Sequence, residues 1–524
     1  MSELDQKVPG GRVRIRWWPA VAIVALVVLR VARVLGGEDT PRQQQVMQVG
    51  SALIGGVGLL MLWWMFFSRA PGRWRWYGLA GAVVAVGLGV AAFRYEGVTG
   101  DLVPILEPRW KPRARAAVMD EGEGGGGGVA GSGTGSAASF PQFLGPERTG
   151  ELRGVGLDPD WAARAPGLVW RQPVGSGWGG FAVADGLALT QEQDGAFEVV
   201  TAREWMSGRL RWEHRVEARY DNPIGGVGPR ATPTVHGGRV YAIGATGHLS
   251  CLDLASGAVV WGTNVVGAVP MDELEWGVSS SPLVHGDRVI VAPRGRAGVS
   301  LVALRADTGA WVWSGGESSA HYSSPRVETL LGVPQILTFT AAAAAAHDPR
   351  DGALLWAYAW RGGHPHVADP RAVDDRRVLI SSGYGTGSHL VEIERGEGGT
   401  WSADRLVWRS IRLRSKFANV LLRGGYVYGL DDGRLVCVDL ADGTRRWDGE
   451  RYGHGQVLLV DEWILVTTES GEVALVEAKP EAFREVARFR ALEGKTWNPP
   501  ALAGDLLLVR NDREAAAFRI PLRP

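Results

Sequence analysis

Eight short phrases hold most of the polar and aromatic residues whose types could do chemistry. They are GSGWGGFAV (175–183), GPRATPTV (228–235), WGVSSSPLV (276–284), AHYSSPRV (320–327), GGHPHVADPRAV (362–373), SKFANVLL (415–422), YGHGQVLL (452–459) and KTWNPPAL (495–502). The candidates they supply for ligand binding are Trp178, Arg230, Trp276, His321, Tyr322, Lys416, Asn419, His454, Trp497 and Asn498, with Ser279, His364 and His366 beside them. Gathered at one place, such side chains make a mildly basic, aromatic-lined pocket suited to a flat anionic or sugar-like ligand. The competing reading is structural: the same residues fix turns, stack on neighbours and cap loose strand ends. No residue is picked as catalytic. His364, His366 and Asp369 are ordinary zinc-ligand types, but the sequence places no further ligand near them, and no metal site is expected. The GYGTG run (383–387) lacks the Lys-Ser/Thr and following helix of a phosphate loop. Glu192 in TQEQDG (190–195) stands as a turn acid or a lone ligand, and no Gly-x-Ser-x-Gly nucleophile motif occurs.

The elements that must position these residues show in a second repeat. CVDLADGTRRW (437–447) returns as CLDLASGAVVW (251–261), ALRADTGAWVW (303–313), AHDPRDGALLW (346–356) and AREWMSGRLRW (202–212). Each copy begins with a small residue, has Gly six positions on and closes with Trp ten positions on. The alternating run before each phrase, such as HLSCLDL (248–254), reads as a half-buried strand. The Asp-x-x-polar-Gly segment turns the chain, because Asp and Ser oxygens accept from freed backbone N–H groups and Gly takes positive φ without steric cost. The closing Trp buries about 150–250 Å². One four-stranded sheet cannot cover both its faces, so this Trp packs between neighbouring sheets, which is the logic of a propeller.

Closing aromatics fall at Trp170, Trp212, Trp261, Trp313, Trp356, Trp408, Trp447 and, in a decayed copy, Phe489. Each spacing holds four short strands. Trp170 comes too early to own a blade, and three strands' worth of chain follows Phe489. Segment 168–174 is therefore expected to supply the outer strand of the last blade, closing a ring of eight. The predicted fold is all-β: an eight-bladed β-propeller of four-stranded antiparallel blades with Velcro closure. TAAAAAAH (340–347), helical by propensity, is expected to be strand because of its place in a copy. The two cysteines, Cys251 and Cys437, sit about half a ring apart and should be buried, unbridged thiols.

The A-x-D-x-x-T-G-x-x-x-W phrase resembles the tryptophan-docking repeat of the PQQ-like propellers. That superfamily holds the quinoprotein alcohol dehydrogenases and the BamB-type propeller of the outer-membrane assembly machine. Five copies match, with Cys for Ala in two; those near 391–408 and 474–489 are degenerate. The resemblance covers about 140–524, and FPQFLGPERTG (140–150) resembles the opening phrase of such rings. It is specific for fold and much less so for activity.

Ahead of the ring lie three apolar runs, 17–37, 46–67 and 76–93, each long enough to span a hydrocarbon core of about 30 Å. Trp17, Trp18, Trp63, Trp64, Trp74, Trp76 and Tyr77 mark their ends as an aromatic belt would. Gly81, Ala85 and Gly89 make a small-residue stripe suited to helix contact. The basic tail 1–16 and Arg69, Arg73 and Arg75 between the second and third spans put the amino terminus in the cytoplasm and the ring outside it. Residues 96–139, with the tract EGEGGGGGVAGSGTGS (121–136), read as a disordered linker. Lys+Arg and Asp+Glu balance at 56 each, so no global field recruits nucleic acid.

The expected function is that of a bacterial inner-membrane, multi-pass protein whose periplasmic propeller binds or scaffolds without catalysis. Its partners would be membrane lipid and either envelope proteins or a small anionic or sugar-like ligand. The alternative implied by the resemblance is a quinoprotein dehydrogenase that oxidises an alcohol or sugar with pyrroloquinoline quinone (PQQ) and calcium. That chemistry needs a carboxylate base and a calcium held by several oxygens. The mouth phrases supply Arg, Lys and His but almost no Asp or Glu, and the adjacent cysteine pair of the alcohol-oxidising branch is missing.

Overall fold

The computed structural model describes residues 15–37, 40–111, 139–267 and 275–523. Lys7, Arg12, Arg14 and the 121–136 tract lie outside them. The chain divides into two compact units, 1–113 and 114–524.

In the first unit, three helices are long and apolar enough to cross a membrane: α1 (Trp18–Leu35), α2 (Arg42–Leu62) and α3 (Gly72–Ala92). Pro41 and Pro71 stand just before α2 and α3, where a missing N–H costs nothing. The helix of α2 runs on through one π-helical turn, Trp63–Phe67. This turn aims two indoles at neighbouring ends: Trp63 Nε1 donates to the Arg16 carbonyl and Trp64 Nε1 to the Arg75 carbonyl, both at 3.2 Å. The close contacts use glycines other than the expected stripe. A Cβ on Gly56 would lie 2.6 Å from Val27 Cγ2, and one on Gly78 would run into the Trp64 ring, 2.8 Å from its Cε2 and closer still to Nε1. Gly81 and Gly89 have nothing within 4 Å. After α3 the chain does not go straight into a tether. Strands Phe93–Val98 and Pro104–Pro108 pair as an antiparallel hairpin.

The second unit is an eight-bladed propeller of four-stranded antiparallel sheets. Blades 1 to 7 span 182–217, 234–264, 283–315, 326–359, 371–410, 421–451 and 456–490. Blade 8 takes three strands from 501–519 and its outermost from Gly167–Pro173, with Trp170 opposite Ala517. Ring closure is therefore as expected. The alanine run is strand (Ala343–His347), because its alternate methyls are all buried between sheets.

Most closing Trp residues dock on the next blade. A Cβ on the motif glycine of that blade would fall on the indole: Gly208 on Trp170, Gly257 on Trp212, Gly309 on Trp261, Gly352 on Trp313 and Gly443 on Trp408. The Trp313 N–H finds no acceptor among the described residues, but five other indoles donate to a turn carbonyl of the phrase on the next blade. Trp170 bonds Trp205, Trp212 bonds Leu254, Trp261 bonds Ala306, Trp408 bonds Leu440 and Trp447 bonds Lys479, at 2.7–3.0 Å. Two closing aromatics depart here, one in a matching copy and one in a degenerate copy. Trp356 turns to Gln335 of its own blade at 2.7 Å, and Phe489 packs on Trp161 and Phe518 instead. Cys251 and Cys437 are free and buried, each opposite a tyrosine on the adjoining strand (Tyr241, Tyr428), and burial pushes the thiols up to about 11 and about 12.

Candidate functional site

The eight phrases lead into the innermost strands, so they meet around the axis. One residue of each sits at the same level, and these form a belt. Gly180 N–H donates to Thr232 Oγ1, Thr232 N–H to Ser281 Oγ, Ser281 N–H to Ser324 Oγ, Ser324 N–H to Asp369 Oδ1 and Asp369 N–H to Asn419 Oδ1, at 2.7–3.0 Å. Further round, Gln456 Nε2 reaches the Phe417 and Trp497 carbonyls. Asn498 Nδ2 closes the circle on the Gly177 and Gly179 carbonyls at 3.0 and 2.8 Å. Asn419 and Asn498 are thus spent on joining blades. Asp369 also belongs to the belt; burial pushes its carboxyl up to about 6 against the pull of Arg326, Arg148 and Arg371.

Beyond the belt, the axis is crossed by the opening segment of the ring. Phe140 bridges to Val183 of blade 1, and the Pro141 carbonyl accepts from Val235 of blade 2. Arg148, 4% exposed, donates to the Ser281 and Pro282 carbonyls of blade 3. Arg371 of blade 5 bonds the Thr149 carbonyl and Glu151, and Glu151–Leu152 adds a short parallel strand to blade 7. Burial lowers Arg148 and Arg371 to about 10.

On the near side of the belt stand the remaining candidates, which form a crown. Trp178 lies 5.0 Å from Trp497, ring to ring, and Lys495 sits over both at 4.7 and 4.2 Å. Phe417 continues the row between Trp497 and His454 at 5.2 Å from each. Lys416 lies over Tyr384 and Phe417, and Tyr384 stacks on His364. On the other side, Trp178 packs on Gly226, while Trp276 and Arg230 pack on Gly225. His321 accepts at Nδ1 from the His366 N–H, and Tyr322 gives its hydroxyl proton to Glu275 at 3.0 Å.

Electrostatically the crown mixes cations with aromatic faces. Arg230 stacks on Tyr220 at 4.6 Å and donates to the Gly225, Gly226 and Gly228 carbonyls; burial lowers its pKa to about 10. Its donors serve its own loop. Arg294 lies over Tyr322 and pairs with Glu275 at 3.1 Å. Glu469 accepts from Trp497 Nε1 at 2.8 Å and from the His454 N–H at 3.1 Å. Burial, with His366 and Arg294 nearby, lowers His321 to about 3, so it is neutral. Desolvation lowers Lys495, opposed by Asp512 and Glu469. The indole N–H groups of Trp178 and Trp276 meet no acceptor among the described residues. Sequence reasoning passed over Tyr220, Glu275, Arg294, Tyr384, Phe417, Glu469 and Lys495. Two of these, Phe417 and Lys495, lie inside the same phrases and carried the same aromatic and basic signal.

Sheets, docking tryptophans, belt and crown together define an eight-bladed, tryptophan-docked propeller with a polar mouth at one end. The family model described as outer membrane protein assembly factor BamB matches residues 162–271 and 196–449, more than half of the chain, and the chain belongs to that family of PQQ-like propellers. BamB from Moraxella catarrhalis is similar in structure with a TM-score of 0.50 and 17% identity, over 68% of this chain and 100% of that one. A europium-containing methanol dehydrogenase gives 0.55 and 11%, over 73% and 98%. The quinohemoprotein alcohol dehydrogenase ADHIIG from Pseudomonas putida HK5 gives 0.53 and 12%, over 74% and 81%. At such identities the likeness is one of fold. A comparison with curated protein sequences finds no match.

Proposed function

We propose that this chain is a membrane-anchored, extracytoplasmic propeller that binds or scaffolds without doing chemistry. The observation that carries this reading is the state of the mouth carboxylates. Glu275 is engaged by Arg294 and Tyr322, and Glu469 by Trp497 and the His454 N–H. Both are held by groups of the chain, and the cations and aromatic faces around them share the mouth with Asp432, near Tyr384, and Asp512, near Lys495. PQQ with calcium needs a base and several converging oxygens, and this donor set does not fit it. An anionic or sugar-like ligand suits the crown better, since Lys495 lies over Trp178 and Trp497, and Lys416 over Tyr384 and Phe417, so that cations and aromatic faces stand together there.

The helices favour the bacterial inner membrane with the amino terminus inside. Arg16, Arg69, Arg73 and Arg75 fall where α1 begins, α2 ends and α3 begins, and the Arg16 N–H bonds the Ser68 carbonyl at 3.0 Å. An odd number of crossings then delivers the ring to the periplasm. The family description, an assembly factor of outer membrane proteins, makes envelope proteins the expected partners.

The second reading is a quinoprotein dehydrogenase, favoured by the fold of the methanol and quinohemoprotein alcohol dehydrogenases. Titration of the full-length protein in detergent with PQQ and Ca²⁺ separates the two. The binding reading expects no stoichiometric uptake and no dye reduction with alcohols or sugars. Stoichiometric uptake with substrate-dependent dye reduction would overturn it.

A further inference from the structure

The hairpin that follows α3 is built with one greasy face and one charged face. Its register sets Phe93 opposite Pro108, Arg94 opposite Glu107 and Tyr95 opposite Leu106. Period-two alternation then puts Phe93, Tyr95, Leu106 and Pro108 on one side. Phe93, Tyr95 and Leu106 are 40%, 53% and 57% exposed, and Trp110, whose ring lies 6.1 Å from Phe93, is 73% exposed. On the other side Arg94 pairs with Glu96 at 2.6 Å and Glu107 at 3.0 Å. A two-stranded hairpin with such a face is marginal in water, and three aromatics in so short a span make an exposed patch that calls for a cover.

Its position says what the cover is. α3 has 21 residues, which at 1.5 Å each gives about 31 Å, close to the ~30 Å of a bilayer's hydrocarbon core. The hairpin starts at the very next residue. It is locked there by Arg109, whose backbone N–H bonds the Ala92 carbonyl at 2.8 Å and whose Nε bonds the Val90 and Phe93 carbonyls at 3.2 Å. A cation on the last helix carbonyls satisfies them and suits the negative end of the dipole. The hairpin cannot swing away from the level at which the helix leaves the bilayer, and that level is the one aromatic side chains prefer.

We propose that the Phe93–Tyr95–Leu106–Trp110 face is an interfacial lipid anchor, lying in the headgroup layer of the leaflet where α3 emerges. It rests on α3 spanning the membrane, and the test keeps the two claims apart. The full-length protein would be reconstituted in phosphatidylcholine–phosphatidylglycerol vesicles carrying Leu106→Cys or, as a second site on the same face, Tyr95→Cys. Each would be labelled with an environment-sensitive dye. Cys251 and Cys437 are buried, so the introduced thiol takes the label. Ala85→Cys, inside α3, reports the span. The anchor predicts a blue shift at positions 106 and 95, loss of quenching by iodide, and quenching by a headgroup-proximal nitroxide lipid that exceeds that by a deep one. Quenching at position 85 should show the reverse order. Iodide-accessible labels at 106 and 95 while 85 is lipid-quenched would refute the anchor and leave the span standing. Blue-shifted labels that no lipid quenches would show a protein cover and refute it as well. Failure at 85 would remove the span and the anchor together.

Discussion

Replacing Gly257 by Ala tests whether docking of a tryptophan on a glycine is what holds adjacent blades. Gly257 has φ +72°, and a Cβ there would lie 2.5 Å from Trp212 Cε3 of the preceding blade. Two costs add. An L-residue at positive φ loses about 1–2 kcal/mol, and forcing a methyl into a packed contact loses about 1–3 kcal/mol more. The sum is about 2–5 kcal/mol, a severe effect for one methyl group. Gly237 supplies the control, since it has φ +56° and nothing within 4 Å of a built Cβ. Gly237→Ala should therefore lose only the conformational part, about 1–2 kcal/mol. The assay is the urea midpoint at unchanged slope for wild type and both variants, repeated on a Trp212→Leu background. There the steric part of Gly257→Ala should vanish, leaving a coupling of about 1–3 kcal/mol between the two sites. Equal losses for Gly257→Ala and Gly237→Ala, or a Gly257→Ala loss unchanged by Trp212→Leu, would refute the docking argument.

Other consequences follow from the mouth. Asn498→Ala removes the two bonds that join blade 8 to the Gly177 and Gly179 carbonyls, and should lower stability by about 1–3 kcal/mol in denaturant melts without altering ligand binding. Arg230→Ala strips three carbonyls of their donor, and should cost about 2–4 kcal/mol, read as a lower melting temperature; an unchanged melt would free this guanidinium for a ligand role. His321 is held neutral with its pKa lowered from 6.5 to about 3, so the folded state binds the proton less readily than the unfolded chain. Stability is then fully present above pH 6.5 and is lost as pH falls toward 3, by at most roughly 5 kcal/mol at about 1.4 kcal/mol per pH unit. His321→Asn should flatten urea midpoints measured between pH 4 and 7.

The ring was legible in the sequence because its two markers have no substitute. Only Gly takes the positive φ beneath an indole, as Gly257 and Gly443 do, and few side chains but Trp fill the gap between sheets. Their spacing also gave away the closure, since Trp170 had no strands of its own. The mouth was harder. Asn419 and Asn498 look like ligand-binding residues, yet they serve blade-to-blade bonds, because an amide serves backbone and ligand alike. The polar-Pro pairs at Thr232, Ser281, Ser324, Asp369 and Asn498 recur at one place in their phrases, and that regularity was the available signal for a belt. The post-α3 hairpin was missed because the acidic, glycine-containing stretch around it reads as coil. The alternation of Phe93 and Tyr95 is too short to outweigh that.

A propeller brings eight edge strands to its axis, and this decides what the polar residues there can mean. Each innermost strand has one side unpaired, with N–H and C=O groups facing the channel. In a blade alone, water would satisfy them; packed around an axis, they need partners from the chain. Thr232, Ser281, Ser324, Asp369 and Asn419 supply acceptors, while Gln456, Asn498 and the guanidinium of Arg148 supply donors. Arg510, fully buried, does the same for the Gly175 and Gln191 carbonyls where blade 8 meets blade 1. Polarity at and beyond the belt is thus a condition of closing the ring, whatever the ring does. The groups that the backbone does not require stand on the near side of the belt: Trp178, Trp276, Phe417, Tyr384 and the lysines stacked on them.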